Sequence, residues 1–356
     1  MNKICFFTGA LSDGGAERVI VSLSKKFVEF GFEVEILTYY DREDFYQVDP
    51  RVKRLAVCSS TNSTNKLKNL VWTHKHFKGV DCVVSFLAPF NIFALLANSF
   101  NNTKIAVADR NDPKKVPSSS LMRLIRNLLY RFSDRIVLQT EQNKSYFSKR
   151  IRKKSAVIYN PVDTELLNGL QQVCERKNEI VSVGRLMPQK NQSLLIDAFC
   201  RFHKNHKNYS LKIFGEGPER GKLQKKIDGL KLNDCVFLMG NDKKVLERIR
   251  ESSVFILTSD YEGMPNALIE AMCLGMICIS TKVSGATELI VDGDNGFLVD
   301  CNEVLSLKNK IEYAVSLDEE RKQTIREKAS LLRDKLSLDN IAAEWEGLIK
   351  GLLVND

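Results

Sequence analysis

The chain runs twice through the same rhythm of short apolar strands and amphipathic helices. Segments 3–8, 33–38, 82–86, 105–108, 135–138 and 156–159 are apolar runs of strand length. Helical periodicity occupies 15–30, 67–76, 90–99, 121–132 and 141–148 between them. Near residue 180 the pattern begins again, with strands at 180–183, 210–214, 236–238, 254–257, 277–280 and 296–299. Helices stand at 192–203, 219–229 and 267–274. Such alternation calls for a parallel sheet covered on both faces, because parallel neighbours need a crossover between them. At 356 residues two such sets exceed one ordinary core. The reading is therefore two α/β domains, 1–165 and 170–335, joined through a polar stretch at 167–178. A last helix at 340–353 carries Ile341, Ala342, Trp345, Leu348, Ile349 and Leu352 at helical spacing. That stripe needs a cover, and residues 336–356 are expected to return to the first domain.

Charge is unevenly placed. Residues 1–160 hold 26 Lys and Arg against 14 Asp and Glu, a balance of +12, whereas 161–356 hold 27 against 30, a balance of −3. A basic first half suits a phosphorylated or membrane-borne partner. Nucleic acid is not expected, because neither a recognition helix, zinc spacing nor an aromatic RNA-binding signature accompanies the charge. The nine cysteines lack metal-ligand spacing and have mostly apolar neighbours, so reduced, buried thiols in a cytoplasm are expected. The longest apolar stretch, 86–100, is interrupted by Pro89, Asn91 and Asn98 and is too short to span a bilayer.

The run from Thr258 to Gly275 sets Glu262 and Glu270 apart with seven residues between them, across a Gly/Pro loop that leads from a strand into a helix. Strand, loop and helix start together place backbone N–H groups and carboxylates at one rim of the sheet. Parallel sheets bind ligands there, and helix N-termini favour anions. Glu270 is expected in the first turn of its helix, where a carboxylate is also an ordinary dipole partner.

Other groups fit a nucleotide diphosphate. Gly184 permits a tight turn after the first strand of the second half. Arg185 and Lys190 in the same loop can reach a pair of phosphates, Arg as a planar fork and Lys as a movable point charge. Gly215 and Gly217 end the next strand in a turn that lets a flat base approach the backbone, and Gly240 ends another. At the N-terminus, Gly14-Gly15-Ala16-Glu17-Arg18 opens the first helix, where N–H groups can hold a phosphate or an acceptor hydroxyl. The 9–15 loop is neither the G-x-G-x-x-G fingerprint nor a Walker A loop. Asp292-Gly293-Asp294 has the form of a metal-binding D-x-D, but its Gly/Asn surroundings read as a turn. It fails as a calcium loop because Phe297 stands where Gly is needed.

Taken together, Gly184-Arg185 with Lys190, the Glu262 and Glu270 pair, the N-terminal Gly14-Gly15 run and Asn160-Pro161-Val162-Asp163 resemble the retaining GT-B glycosyltransferases of family 4. Gly285-Ala286-Thr287-Glu288 and the 292–299 segment fit as well. The resemblance implies an α/β GT-B fold of two Rossmann-like parallel-sheet domains facing across a central cleft. It implies that Arg185 and Lys190 bind the donor diphosphate and that Glu270 accepts from ribose hydroxyls. Glu262 would contact the donor sugar, with Gly263, Met264 and Pro265 placing backbone around it, and Gly15 would approach the β-phosphate. No metal and no cofactor is expected, because two cations and helix-start N–H groups can offset a departing diphosphate.

Many members of that family carry a His in the N-terminal domain. Here His74, His76, His203 and His206 all read as surface residues. The corresponding segment is 106–113, with Asp109 and Arg110 as candidates to orient the acceptor or the donor phosphate, against an ordinary charged loop before Pro113. Its Arg-Asn-Asp-Pro run resembles the branch that extends lipid-linked bacterial surface glycans. The helix at 121–132, with Lys114, Lys115, Arg123, Arg126 and Arg131 about it, suits a polyprenyl diphosphate or an anionic membrane. It reads equally as a domain helix with a solvated basic face. The expected protein is a cytoplasmic glycosyltransferase, peripheral on the inner face of the plasma membrane, moving a hexose or N-acetylhexosamine from a UDP-sugar to a lipid-linked or growing surface glycan. A UDP-sugar 2-epimerase and a non-catalytic sugar-nucleotide-binding protein are the alternatives.

Overall fold

The computed structural model describes every residue except 13, 59–64, 165, 166, 168, 171, 172, 174, 355 and 356. Part of the expected linker at 167–178 lies outside the described residues. The chain divides into two compact units, Met1–Pro161 with Leu336–Asp356, and Val162–Lys335.

The first unit holds a seven-stranded parallel sheet. Its strands are β1 (Lys3–Thr8), β2 (Glu33–Tyr40), β3 (Lys53–Cys58), β4 (Cys82–Phe86), β5 (Lys104–Ala108), β6 (Arg135–Leu138) and β7 (Ser155–Val157), in the order β3-β2-β1-β4-β5-β6-β7. The crossovers include α1 (Gly15–Glu29), α2 (Lys66–Phe77), α3 (Ala88–Ala97), α4 (Ser120–Leu129), α5 (Glu141–Ser145) and α6 (Lys149–Arg152). The central strands read as unbroken apolar runs because helices cover both of their faces. Cys5, Phe7, Val83, Val107 and Leu138 pack on one side with Phe77 and Tyr130. On the other side Phe6 meets Phe27 of α1 at 5.6 Å. β3 escapes sequence reading because Lys53 and Arg54 open it at the edge of the sheet and its middle is only half-buried.

The second unit is a six-stranded parallel sheet ordered β10-β9-β8-β11-β12-β13. Its strands are β8 (Lys177–Val183), β9 (Ser210–Phe214), β10 (Val236–Gly240), β11 (Ser252–Leu257), β12 (Ile277–Thr281) and β13 (Phe297–Val299). Helices α7 (Gln192–His203), α8 (Arg220–Gly229), α9 (Val245–Ile249), α10 (Asn266–Cys273), α11 (Ser284–Leu289), α12 (Val304–Ser316), α13 (Glu319–Ser330) and α14 (Leu332–Lys335) cover it. Leu195, Phe199, Ile213, Ile256 and Ile279 form its dry interior. Strand order reverses between β8 and β11, so the carboxyl ends of these strands form a topological switch point.

The final helix, α15 (Leu338–Leu353), belongs to the first unit. It buries Ile341, Ala342, Trp345, Ile349 and Leu352. Trp345 is fully buried and stacks on Phe86 at 5.7 Å, and Lys26 of α1 reaches Asp339 at 2.7 Å.

Candidate active site

Three loops at the carboxyl ends of β8, β9 and β10 interlock through the main chain. Gly184 N–H donates to the Phe214 carbonyl at 3.0 Å, Leu186 N–H to Glu216 at 2.8 Å, and Gly215 N–H to Gly240 at 2.8 Å. Gly215 has φ +134°, and a Cβ there would lie 2.1 Å from the Gly184 carbonyl oxygen, so no side chain fits. At Gly217 a Cβ would meet the Leu186 oxygen at 2.4 Å. Gly215 and Gly217 therefore let these loops close on one another.

The loop after β8 is then clasped to the loop after β11. Asp260 N–H donates to the Gln189 carbonyl at 2.9 Å, Gln189 Nε2 to the Tyr261 carbonyl at 2.7 Å, and Thr258 Oγ1 to the Lys190 carbonyl at 3.0 Å. Asn191, in the left-handed region at φ +47°, caps α7 and donates to Asp260 at 2.9 Å. The clasp brings Lys190 Nζ onto Glu262 Oε1, and Ser259 Oγ donates to the same oxygen at 2.8 Å. Glu262 is only 8% exposed, so its orientation is held by these partners. Arg185 is exposed in the same loop.

Gly263, Met264 and Pro265 are buried under α11. Gly285 makes that possible, since a Cβ would lie 2.5 Å from the Gly263 oxygen and 2.6 Å from Pro265 Cδ. Glu270 is buried on α10. That helix begins at Asn266, one residue earlier than the sequence suggests, so its first turn holds no acid and Glu270 enters the second. The dipole explanation for Glu270 weakens accordingly, because the effect fades beyond the first turn.

In the first unit, α1 opens at Gly15 after the extended Gly14, and Glu17 is buried in its first turn. Asp109 follows β5 and is buried. Its carboxylate accepts from Tyr130 Oη at 3.2 Å and lies 3.6 Å from Arg126 Nη1. Burial pushes its carboxyl up to about 6, with Arg126, Tyr130 and Arg110 opposing that rise. Arg110 lies between the rings of Phe86, 5.0 Å away, and Trp345, 5.4 Å away, and its Nη1 donates to Asn160 Oδ1 at 3.0 Å. Burial pulls it down to about 9. Both residues are thus enclosed by their own unit, and neither sits in an ordinary charged loop.

The histidines, expected at the surface, are half-buried and engaged there. His76 Nε2 contacts the buried Glu35, and His74 Nδ1 lies 3.0 Å from the Ala97 carbonyl. His203 and His206 stack on Phe199 and Phe202. Cys5, Glu35 and His76 offer atoms within 4.8 Å of one another. Lys3 already balances that glutamate at 3.1 Å. Asp292 and Asp294 form a turn about Gly293 at φ +80°. Asp292 accepts from Leu298 N–H at 2.8 Å and Asp294 pairs with Lys328. Ser259, Gln189 and Asn191 were not singled out in the sequence; a polar Thr-Ser pair directly after an apolar strand was the available signal.

Two family models match the chain, Glycosyltransferase Family 4 over residues 13–166 and Glycosyl transferases group 1 over 171–330. A Campylobacter jejuni protein named GalNAc-alpha-(1->4)-GalNAc-alpha-(1->3)-diNAcBac-PP-undecaprenol alpha-1,4-N-acetyl-D-galactosaminyltransferase is 27% identical over 98% of both chains. A second from that organism, N-acetylgalactosamine-N,N'-diacetylbacillosaminyl-diphospho-undecaprenol 4-alpha-N-acetylgalactosaminyltransferase, is 29% identical over 90% of this chain and 92% of its own. Among solved structures, sucrose-phosphate synthase from Thermosynechococcus elongatus superposes with a TM-score of 0.83 at 18% identity, covering all of both chains. Anabaena Alr3699/HepE, solved with UDP and glucose, gives 0.82 at 18% identity, covering 98% of this chain and all of that one. With its two parallel-sheet Rossmann-like units, the protein has the α/β GT-B fold and belongs to the group 1 glycosyltransferases.

Proposed function

We propose that this glycosyltransferase moves a hexose or N-acetylhexosamine from a UDP-sugar to a lipid-linked or growing surface glycan, with retention of configuration and without a metal ion. The observation that carries the reading is the Lys190–Glu262–Ser259 contact at the carboxyl ends of β8 and β11. Lys190 has three N–H donors, so a phosphate oxygen can share the ammonium with Glu262. Arg185 supplies the second cation, and together they offset the charge that grows on the departing diphosphate. Glu262, fixed by Ser259, has lone pairs left for a sugar hydroxyl, and Gly263, Met264 and Pro265 wall that position. Glu270 takes the ribose, and the main chain at Gly215, Gly217 and Gly240 takes the base. On the first unit Gly15 offers helix-start N–H groups to a phosphate, while Asp109 and Arg110 position the acceptor side.

UDP is the first nucleotide to test because the similarly folded Anabaena protein was solved with it. The undecaprenol-linked substrates in the names of both Campylobacter relatives support a polyprenyl-diphosphate acceptor, reached from the cytoplasmic face of the membrane. The test is transfer from UDP- and GDP-sugars to a polyprenyl-diphosphate glycan, with a chelator present. Transfer from a UDP-sugar is expected to persist, and Lys190→Ala and Glu262→Ala each to lower it on the order of 10²–10³-fold while the circular dichroism spectrum is retained. Full activity in either variant would remove these residues from the mechanism.

A further inference from the structure

Helix α4 is built inside out. Leu121, Leu124 and Leu128 are 64, 65 and 52% exposed, and Phe132, in the single turn that follows, is 71% exposed. Arg126 on the opposite side is fully buried. At 3.6 residues per turn the three leucines fall within roughly 60° of one another, with Arg126 nearly opposite. The arginine sets this orientation. Its guanidinium donates to the carbonyls of Val116 at 2.6 Å and Pro113 at 2.9 Å, and lies over the rings of Tyr146 and Phe147 at 5.4 and 5.1 Å. With Asp109 also 3.6 Å away, rotating the helix to hide the leucines would strand a buried charge. Arg126 is therefore no part of a solvated basic face, and α4 shows an apolar stripe to solvent instead.

The surroundings of the stripe are cationic. Residues 113–133 hold five Lys and Arg and no Asp or Glu. Lys114, Lys115 and Arg131 are exposed. Lys154 donates to the Arg131 carbonyl at 2.7 Å, which draws α6 and the next residue, with exposed Lys149, Arg150, Arg152 and Lys153, to the end of the stripe. Aliphatic side chains flanked by these exposed cations match the acyl boundary and headgroups of an anionic bilayer. No described helix is long and apolar enough to cross a membrane.

We propose that this face of the first unit seats the protein on an anionic lipid surface, with Leu121, Leu124, Leu128 and Phe132 inserted at the level of the headgroups. The proposal deepens the reading of a lipid-linked acceptor and rests on it for its biological sense, but not for its test. The full chain is sedimented with phosphatidylcholine vesicles with and without phosphatidylglycerol, beside the double variant Leu124→Glu/Leu128→Glu and the variant Lys114→Ala/Lys115→Ala. Binding to the anionic vesicles is expected, with a loss on the order of tenfold or more in the leucine variant. The lysine variant should lose affinity only where phosphatidylglycerol is present. Unchanged binding by the leucine variant, or no binding by the wild type, would overturn the proposal. So would a wild-type dimer that the leucine variant converts to monomer, because the stripe would then join two copies. Transfer to a short-chain, water-soluble acceptor should be the same in wild type and leucine variant. Absence of transfer in both would strike the enzymatic reading while leaving the membrane seat to the vesicle result.

Discussion

At the scale of single residues, the second unit is most legible where chemistry and conformation coincide. Gly184 was picked out for a tight turn and Gly215 and Gly217 for a base's approach to the backbone. The structure shows a steric need at Gly215 and Gly217, where a Cβ would strike the carbonyls of the neighbouring loop, and none at Gly184. Ser259, Gln189 and Asn191 could not, since their partners lie far along the chain and nothing local marks the pairing. Asp109 is the residue whose environment is most informative beyond its identity. Its folded value of about 6 lies above the ordinary 3.8, so its contribution to stability is fully present below pH 3.8 and is lost as pH rises through about 6. The stability of wild type relative to Asp109→Asn is therefore expected to fall by roughly 2–3 kcal/mol between about pH 4 and pH 6.5 and then level off. Urea melts at stepped pH measure this. A difference that grows with pH would mean that the fold favours the ionised carboxylate.

Elements were legible in proportion to how strictly their surroundings enforce a period. The two-sided burial of β1, β4, β8 and β11 leaves continuous apolar runs, which sequence alone reveals. Edge strand β3 breaks the pattern with Lys53 and Arg54, and α4 inverts it by burying Arg126, so local periodicity misleads at both. The stripe on α15 was visible, whereas its partners were not. Trp345 lies against Phe86 and Arg110, joining the chain's last helix to the residues that follow β5. Trp345→Ala removes a fully buried ring and is expected to cost about 3–5 kcal/mol, read from denaturant unfolding. It should also release Arg110 from its stacked position. A cost below about 1 kcal/mol would show that α15 is not a structural part of the first unit.

At the scale of the whole molecule, the doubled strand–helix rhythm in the sequence emerges as two parallel sheets, and relatives matched along nearly the whole chain are glycosyltransferases. The proposed donor site could be marked out in the sequence because its charged groups sit in contiguous loops at strand ends, where a parallel sheet offers ligand positions by construction. The proposed acceptor side was harder to mark out, because the surroundings of Asp109 and Arg110 are made by distant partners such as Arg126, Asn160 and Trp345. The central claim is that the carboxyl ends of β8 to β11, with Glu270 behind them, bind a uridine diphosphate. Calorimetric titration of the purified protein with UDP, with GDP in parallel and Glu270→Ala as the control, tests it most directly. Saturable UDP binding that weakens about tenfold or more in a folded Glu270→Ala variant is the predicted result. No UDP binding, or binding indifferent to that substitution, would contradict it.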